Sequence, residues 1–436
     1  MISPEKEIDK YLQRMFYINR SITGDGNRET LKILQEIIPI KVKEYSTGDQ
    51  VYDWVIPKEW NISDAWIKNS SGEKIISFKN SNLHVVSYST PVQRKIKFRE
   101  LKKHLHYIED LPNAIPYRTS YYHETWGFCV SFEQYQELFN KDDDEEYEVC
   151  INSKLHNGSL SVGELILPGK SEKEILISCY ICHPSMANDS LSGVILTAFL
   201  AKQLMEKELN FTYRIIFVPE TIGAISYCAK NELRMKHISY GLVITTVGGP
   251  GKFGYKQSWD KECCINSLVE DVFLDENIEY KKYLFDIHGS DERQYSSQGF
   301  RINCITITKD KYYEYDYYHT SLDNLKFVQA KYIRQSLNLY SHLINKLEKN
   351  LTFKNRMPHC EVMLSKHDLY PKTGGGINQL NINAEKSKMD IILELLFYCD
   401  GESDLHQISK SINIDMEILY DFAIELKDKF ILEVVA

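Results

Sequence analysis

The chain has 436 residues, 43% hydrophobic and 26% charged, more than one small core organises, so two or three domains are expected. A formal net charge of −9 excludes whole-chain electrostatic attraction to nucleic acid or an anionic membrane. The charged opening "MISPEKEIDKYLQRMF" lacks the apolar core of a signal peptide, and no apolar run is long enough to span a bilayer, so a cytoplasmic location is expected.

Residues 1–47 read as helical, with apolar positions at Tyr11, Met15 and Phe16 and again at Leu31, Leu34 and Ile37. Between 48 and 160, short strand-like runs such as "VYDWVIPKEW" and "NLHVVSYS" alternate with turn residues, and "NSSGE" suits a hairpin loop. A β-rich insertion is expected there. Its aromatic, basic run "PYRTSYYHETWGF" (116–128) fits either a substrate-facing wall or the core of the insertion.

From 161 to 352, strands and helices alternate at the spacing of parallel-sheet units. "EILISCYIC" (174–182), "YRIIFVPE" (213–220), "YGLVITTVGG" (240–249) and "INCITIT" (302–308) are the strands. The expected fold class is α/β, a mainly parallel sheet with flanking helices. The ten cysteines are scattered, and "CYIC" lacks the second pair of a structural zinc site, so buried core thiols are expected. Residues 353–384, with "PKTGGGINQL", read as a linker. Residues 385–436 have a helix-turn-helix cadence with Ile408, Ile412 and Ile414 facing inward, then a final strand, as in a winged-helix-like domain. Five lysines against twelve acidic residues disfavour DNA there, because phosphate contacts need a basic face. A protein contact, or a homo-oligomer formed through the tail or the insertion, is the expectation.

In open parallel sheets, ligands bind beyond the carboxyl ends of the strands. His183 ends the first strand, Glu220 ends the second, and His319 follows the fourth, while Asp189 lies in the turn before the first helix. Two imidazoles and one carboxylate form a usual three-ligand set for catalytic zinc. A carboxylate off the metal would take a proton from water, and Glu220 is the candidate. Singly, His183 and Asp189 could be a capping turn, and Glu220 a solvated strand end or a fourth ligand. Gly193 suits close packing or a close backbone approach. Asp291 and Arg293 in "GSDERQY" fit either a surface ion pair or recognition of a substrate's termini. Tyr318 fits an oxyanion donor or, among 29 tyrosines, simple packing.

In their order along the chain, "CHPSMANDSLSG", "FVPETIGAISY", "GSDERQYSSQGF" and "YYHTSLDNL" resemble the zinc exopeptidases of the bacterial aminopeptidase type, metallopeptidase family twenty-eight. They look most like an aminopeptidase-like branch with a lid-like β insertion and a winged-helix tail, many of whose members accompany polysaccharide-biosynthesis genes. "DWVIPKEWNI" and "SNLHVVSYSTP" extend the resemblance over nearly the whole chain. It implies His183, Asp189 and His319 as metal ligands and Glu220 as general base. Thr221, Thr245, Thr246 and Gly249 stand where acidic groups of a second metal are usual, and Ser185 where an aspartate usually orients the first histidine. One zinc rather than two is therefore expected. The implied activity is hydrolysis of amide bonds in small or terminal substrates, such as a small peptide. The alternatives are an amidase or deacylase of an N-acyl sugar or conjugate, and a non-catalytic descendant serving binding or assembly.

Overall fold

The computed structural model describes residues 3–370 and 386–435; the "PKTGGGINQL" stretch lies outside the described residues. The chain divides into two units, Met1–Lys261 with Glu276–Tyr340, and Glu262–Asp275 with Ser341–Ala436.

The first unit is built on eight strands: β1 (Lys41–Ser46), β2 (Ser159–Leu167), β3 (Glu174–Tyr180), β4 (Thr212–Val218), β5 (Ile238–Val243), β6 (Phe253–Lys256), β7 (Tyr280–Tyr283) and β8 (Asn303–Lys309). Their order across the sheet is β1-β2-β4-β3-β5-β8-β6-β7. The four strands expected from sequence form a parallel centre, β4-β3-β5-β8. Antiparallel pairs flank it on both sides, β2 against β4 and β6 against β8, so the sheet is mixed. Every residue of β3 is buried, as expected of a strand covered on both faces.

After β3 the chain turns into the helix Gly193–Leu204, which is buried along most of its length. A Cβ at Gly193 would sit 2.3 Å from the Ile244 carbonyl oxygen. Glycine there lets this helix lie directly on the backbone that leaves β5.

The segment between β1 and β2 forms a four-stranded antiparallel sheet in the order Lys74–Ser77, Glu59–Lys68, Glu146–His156, Val92–Lys97. Its hairpin closes at Asn69–Glu73, where the Asn69 N–H donates to the Glu73 carbonyl. Ala65, Ile67, Ile76, Phe98, Phe128 and Val149 give it a core of its own.

In the second unit, the helix Cys264–Asp275 accompanies the helices Lys388–Tyr398, Leu405–Ile412 and Met416–Asp428. A three-stranded sheet runs in the order Asp400–Asp404, Thr352–Asn355, Leu432–Val434. Side chains of Ser387, Asp404 and Asp415 cap the last three helices at their N-termini. Ile408 and Ile412 are buried, and Ile414 is half-buried. Asp271 accepts from Lys410 Nζ at 2.9 Å and lies 3.1 Å from His406 Nε2. No helix among the described residues is long and apolar enough to cross a membrane.

Candidate metal centre

The carboxyl end of β3 runs through Tyr180, Ile181 and Cys182 to His183, and a single wide helical turn, Ala187–Ser192, then carries Asp189. Asp189 leaves helical geometry there, at φ −107° and ψ 87°, and the backbone closes on a carboxylate from elsewhere. Asp323 accepts the N–H of Asn188 on Oδ1 at 2.6 Å and that of Asp189 on Oδ2 at 2.9 Å. The Tyr180 hydroxyl donates to Asp189 Oδ1 and lies 2.7 Å from the Thr245 hydroxyl. His319 adopts φ +55°, with the Tyr318 ring stacked on its imidazole at 3.9 Å. Its carbonyl accepts the Tyr117 N–H at 2.8 Å, which ties the insertion to this histidine.

These constraints bring the predicted groups together. His319 Nε2 lies 3.0 Å from Asp189 Oδ2, and His183 Nε2 lies 4.0 Å from the same oxygen and 3.8 Å from Glu220 Oε2. One donor atom from each of His183, Asp189 and His319 falls within 4.8 Å of the other two. His319 Nε2 is buried and makes no directed hydrogen bond, even with a carboxylate oxygen 3.0 Å away. A cation held among these three groups would satisfy the buried nitrogen and the carboxylate together. Two imidazoles and a carboxylate are the donor set zinc takes.

Burial pushes the His183 imidazole down to about 4, leaving it neutral with a lone pair to offer. Burial opposes ionisation of Asp189, yet His183 and His319 hold its carboxyl down at about 2. Glu220 is the contrast: burial, then Asp291 and Asp189, raise its proton affinity well above the usual carboxylate range. Two carboxyl groups with opposed environments are what division into ligand and proton carrier requires.

The remaining predicted residues separate. Asp291 is 1% exposed and accepts the Thr221 N–H at 2.7 Å. Arg293 makes no ion pair with it; instead its Nη2 donates to the Thr221 hydroxyl at 3.2 Å. Ser185 donates instead to the Phe16 carbonyl at 3.3 Å. Cys182 takes the place beside the imidazole, its Sγ 3.4 Å from His183 Nδ1, and it also accepts the Glu220 N–H at 3.2 Å. Arg20 Nε donates to the His183 carbonyl at 2.8 Å. Cys182, Tyr180, Asp323 and Arg20 escape a reading of the sequence. The available signal was adjacency: Cys182 precedes a candidate ligand, and Asp323 lies in the same motif as His319.

His183, Glu220 and His319 open onto a cavity of about 440 Å³, walled by Thr221, Arg293, Trp54, Tyr117, Tyr121 and Tyr122. The run 116–128 therefore serves two purposes. Its first tyrosines face the cleft, while Trp126 and Phe128 pack in the insertion.

The chain has the aminopeptidase-like fold. It superposes on a zinc aminopeptidase from Bacillus subtilis with a TM-score of 0.58 at 11% identity, over 79% of this chain and 94% of that one. The family described as Domain of unknown function (DUF4910) matches residues 9–350. A candidate polysaccharide biosynthesis protein with an aminopeptidase-like domain from Clostridium acetobutylicum is 44% identical over 370 residues, 85% of this chain and 84% of its own. The crystal structure of a candidate peptidase from Clostridium acetobutylicum matches with a TM-score of 0.85 and 38% identity, over 99% of this chain and 96% of that one. The chain belongs to the DUF4910 family of aminopeptidase-like proteins.

Proposed function

We propose that the protein is a zinc-dependent, aminopeptidase-like hydrolase of amide bonds in small or terminal substrates. One ion per chain would be held by His183, Asp189 and His319, with Glu220 as general base. The observation that carries this reading is the convergence of the three donors at the base of the cleft, with His319 Nε2 buried and unsatisfied beside Asp189. Thr221, Thr245 and Thr246 offer hydroxyls where a second ion needs carboxylates.

Bound zinc polarises a carbonyl and lowers the pKa of water toward about 7. The chain supplies the remainder. His183 is kept neutral by burial, while Tyr180 and Asp323 fix the rotation of Asp189 and the turn beneath it. Glu220 is held at the cleft by its N–H bond to Cys182, where its carboxylate would take a proton from water and pass it to the leaving amine. The tyrosines of the insertion limit the water around the reacting bond.

A second reading, an amidase or deacylase acting on an N-acyl sugar, uses the same residues. It is favoured by the aromatic wall of Trp54, Tyr117, Tyr121 and Tyr122, which suits a ring, and by the polysaccharide-biosynthesis description of the Clostridium relative. A panel of aminoacyl and N-acyl-sugar amides separates the two. Metal analysis of the purified protein tests the shared site: one zinc per chain is expected, and none after His183→Ala and His319→Ala together. Zinc retained by the double variant, or absent from the wild type, would exclude it.

A further inference from the structure

We propose that the substrate of this cleft carries a carboxylate beside the scissile amide, and that the Arg293 guanidinium with the Thr221 hydroxyl binds it. The scissile bond in this statement rests on the hydrolase reading above; the anion site rests on the following geometry.

Apart from His183, His319 and Glu220, Arg293 supplies the one formal charge among the described residues lining the cleft. Its donors are poorly used. Nη2 reaches the neutral Thr221 hydroxyl at 3.2 Å, Nη1 reaches the Ile287 carbonyl at a long 3.4 Å, and Nε is buried without a partner. No acid bonds to it directly: Asp291 is buried outside the cleft lining, with Oδ1 engaged by the Thr221 N–H, and both Asp291 and Glu220 act on Arg293 only through space. A half-buried guanidinium with a donor left unpaired is costly, and an arriving carboxylate that accepts from it relieves that cost.

The position is also held from behind. The preceding residue, Glu292, is 1% exposed and accepts from Lys256 Nζ at 2.8 Å and from the Tyr312 hydroxyl at 2.9 Å. Arg293 therefore stands on a short helix, Glu292–Tyr295, whose start is pinned by a buried ion pair. Thr221 directly follows Glu220, so an anion bound there lies next to the residue that serves the leaving amine. One planar fork and one hydroxyl suit a carboxylate, whereas a phosphate dianion calls for more donors than this wall offers. An ammonium group at the same place would meet like charge.

Equilibrium binding of three probes to the full chain tests this: N-acetylalanine, N-acetylalaninamide and alaninamide. Carboxylates also bind zinc directly, so each titration is run on zinc-loaded and on metal-stripped protein. The acid should bind about ten-fold more tightly than its amide in both forms. That preference should vanish in Arg293→Gln and survive in part in Arg293→Lys, which keeps the charge but loses the fork. Equal binding of acid and amide, tighter binding of alaninamide, or a preference unchanged in Arg293→Gln would overturn the proposal. If the protein holds no zinc but the preference stands, the hydrolase reading falls and the anion site survives. If zinc binds and the preference is absent, the reverse holds.

Discussion

Asp323 holds Asp189 by its backbone: one carboxylate accepts the N–H groups of two successive residues, Asn188 and Asp189, and a third bond from the Tyr315 hydroxyl at 3.0 Å. It aims a candidate ligand without touching the ligand's own carboxylate. Asp323→Asn keeps one acceptor and should weaken zinc binding about ten-fold, and Asp323→Ala by up to about a hundred-fold. Competition against a chromophoric chelator measures both. Unchanged affinity in the alanine variant would show that the turn holds itself.

Glu220 lies outside the His183, Asp189 and His319 set but forms a second possible donor set with Cys182 and His183. Glu220→Gln preserves shape and removes the proton acceptor. Turnover of any amide substrate should fall at least about a hundred-fold, with zinc content unchanged. Loss of zinc in that variant would make Glu220 a ligand instead.

Gly193 offers a test of packing under the site. An added methyl would fall 2.3 Å from the Ile244 carbonyl oxygen and 3.0 Å from Thr245 Cα, both backbone atoms. Gly193→Ala should therefore cost about 2 kcal/mol of stability, read as a lower denaturation midpoint. The displaced helix begins where the Asp189 turn ends, so zinc affinity should fall as well.

Arg28 grips Glu59 through two bonds of 2.7 Å, and the Ser159 N–H adds a third at 3.0 Å. The Arg28 bonds lead in lowering the Glu59 carboxyl from its ordinary 4.5 to about 2, against its burial. Because the folded value is the lower one, the stabilisation is complete above pH 4.5 and is lost as the pH falls toward 2. Arg28 is one-third exposed, so solvent screening reduces the contribution to about 2 kcal/mol. Urea unfolding of Glu59→Gln beside the wild type should show that gap at pH 7, and its closure near pH 2. A gap independent of pH would assign the loss to shape rather than charge.

The parallel centre of the sheet was legible because burial on both faces leaves continuous apolar runs, as in "EILISCY" and "YRIIFV". The edges were not. β1 is "KVKEYS", a charged strand inside a stretch read as helical, and β7 is "YKKY", almost wholly exposed. Both gain their identity from the neighbour they pair with. At the site, strand ends pointed to His183, Glu220 and His319, because position along a strand fixes position at the sheet edge. Asp323 was invisible for the opposite reason: its partners are backbone N–H groups 134 and 135 positions away, and backbone amides have no sequence signature. Arg293 stayed ambiguous because its meaning lies in which acid it fails to meet.

The helix Cys264–Asp275 lies in sequence between β6 and β7, yet it belongs to the unit containing the C-terminal helices. That unit is thus written in two passages of the gene, one nested inside the text of the other. A truncation before residue 386 would remove the His406 and Lys410 partners of Asp271 and leave half a fold behind. Exchange of this tail between relatives must carry both passages together, so insertions and recombination breakpoints should be scarce between 262 and 275 while the tail is retained.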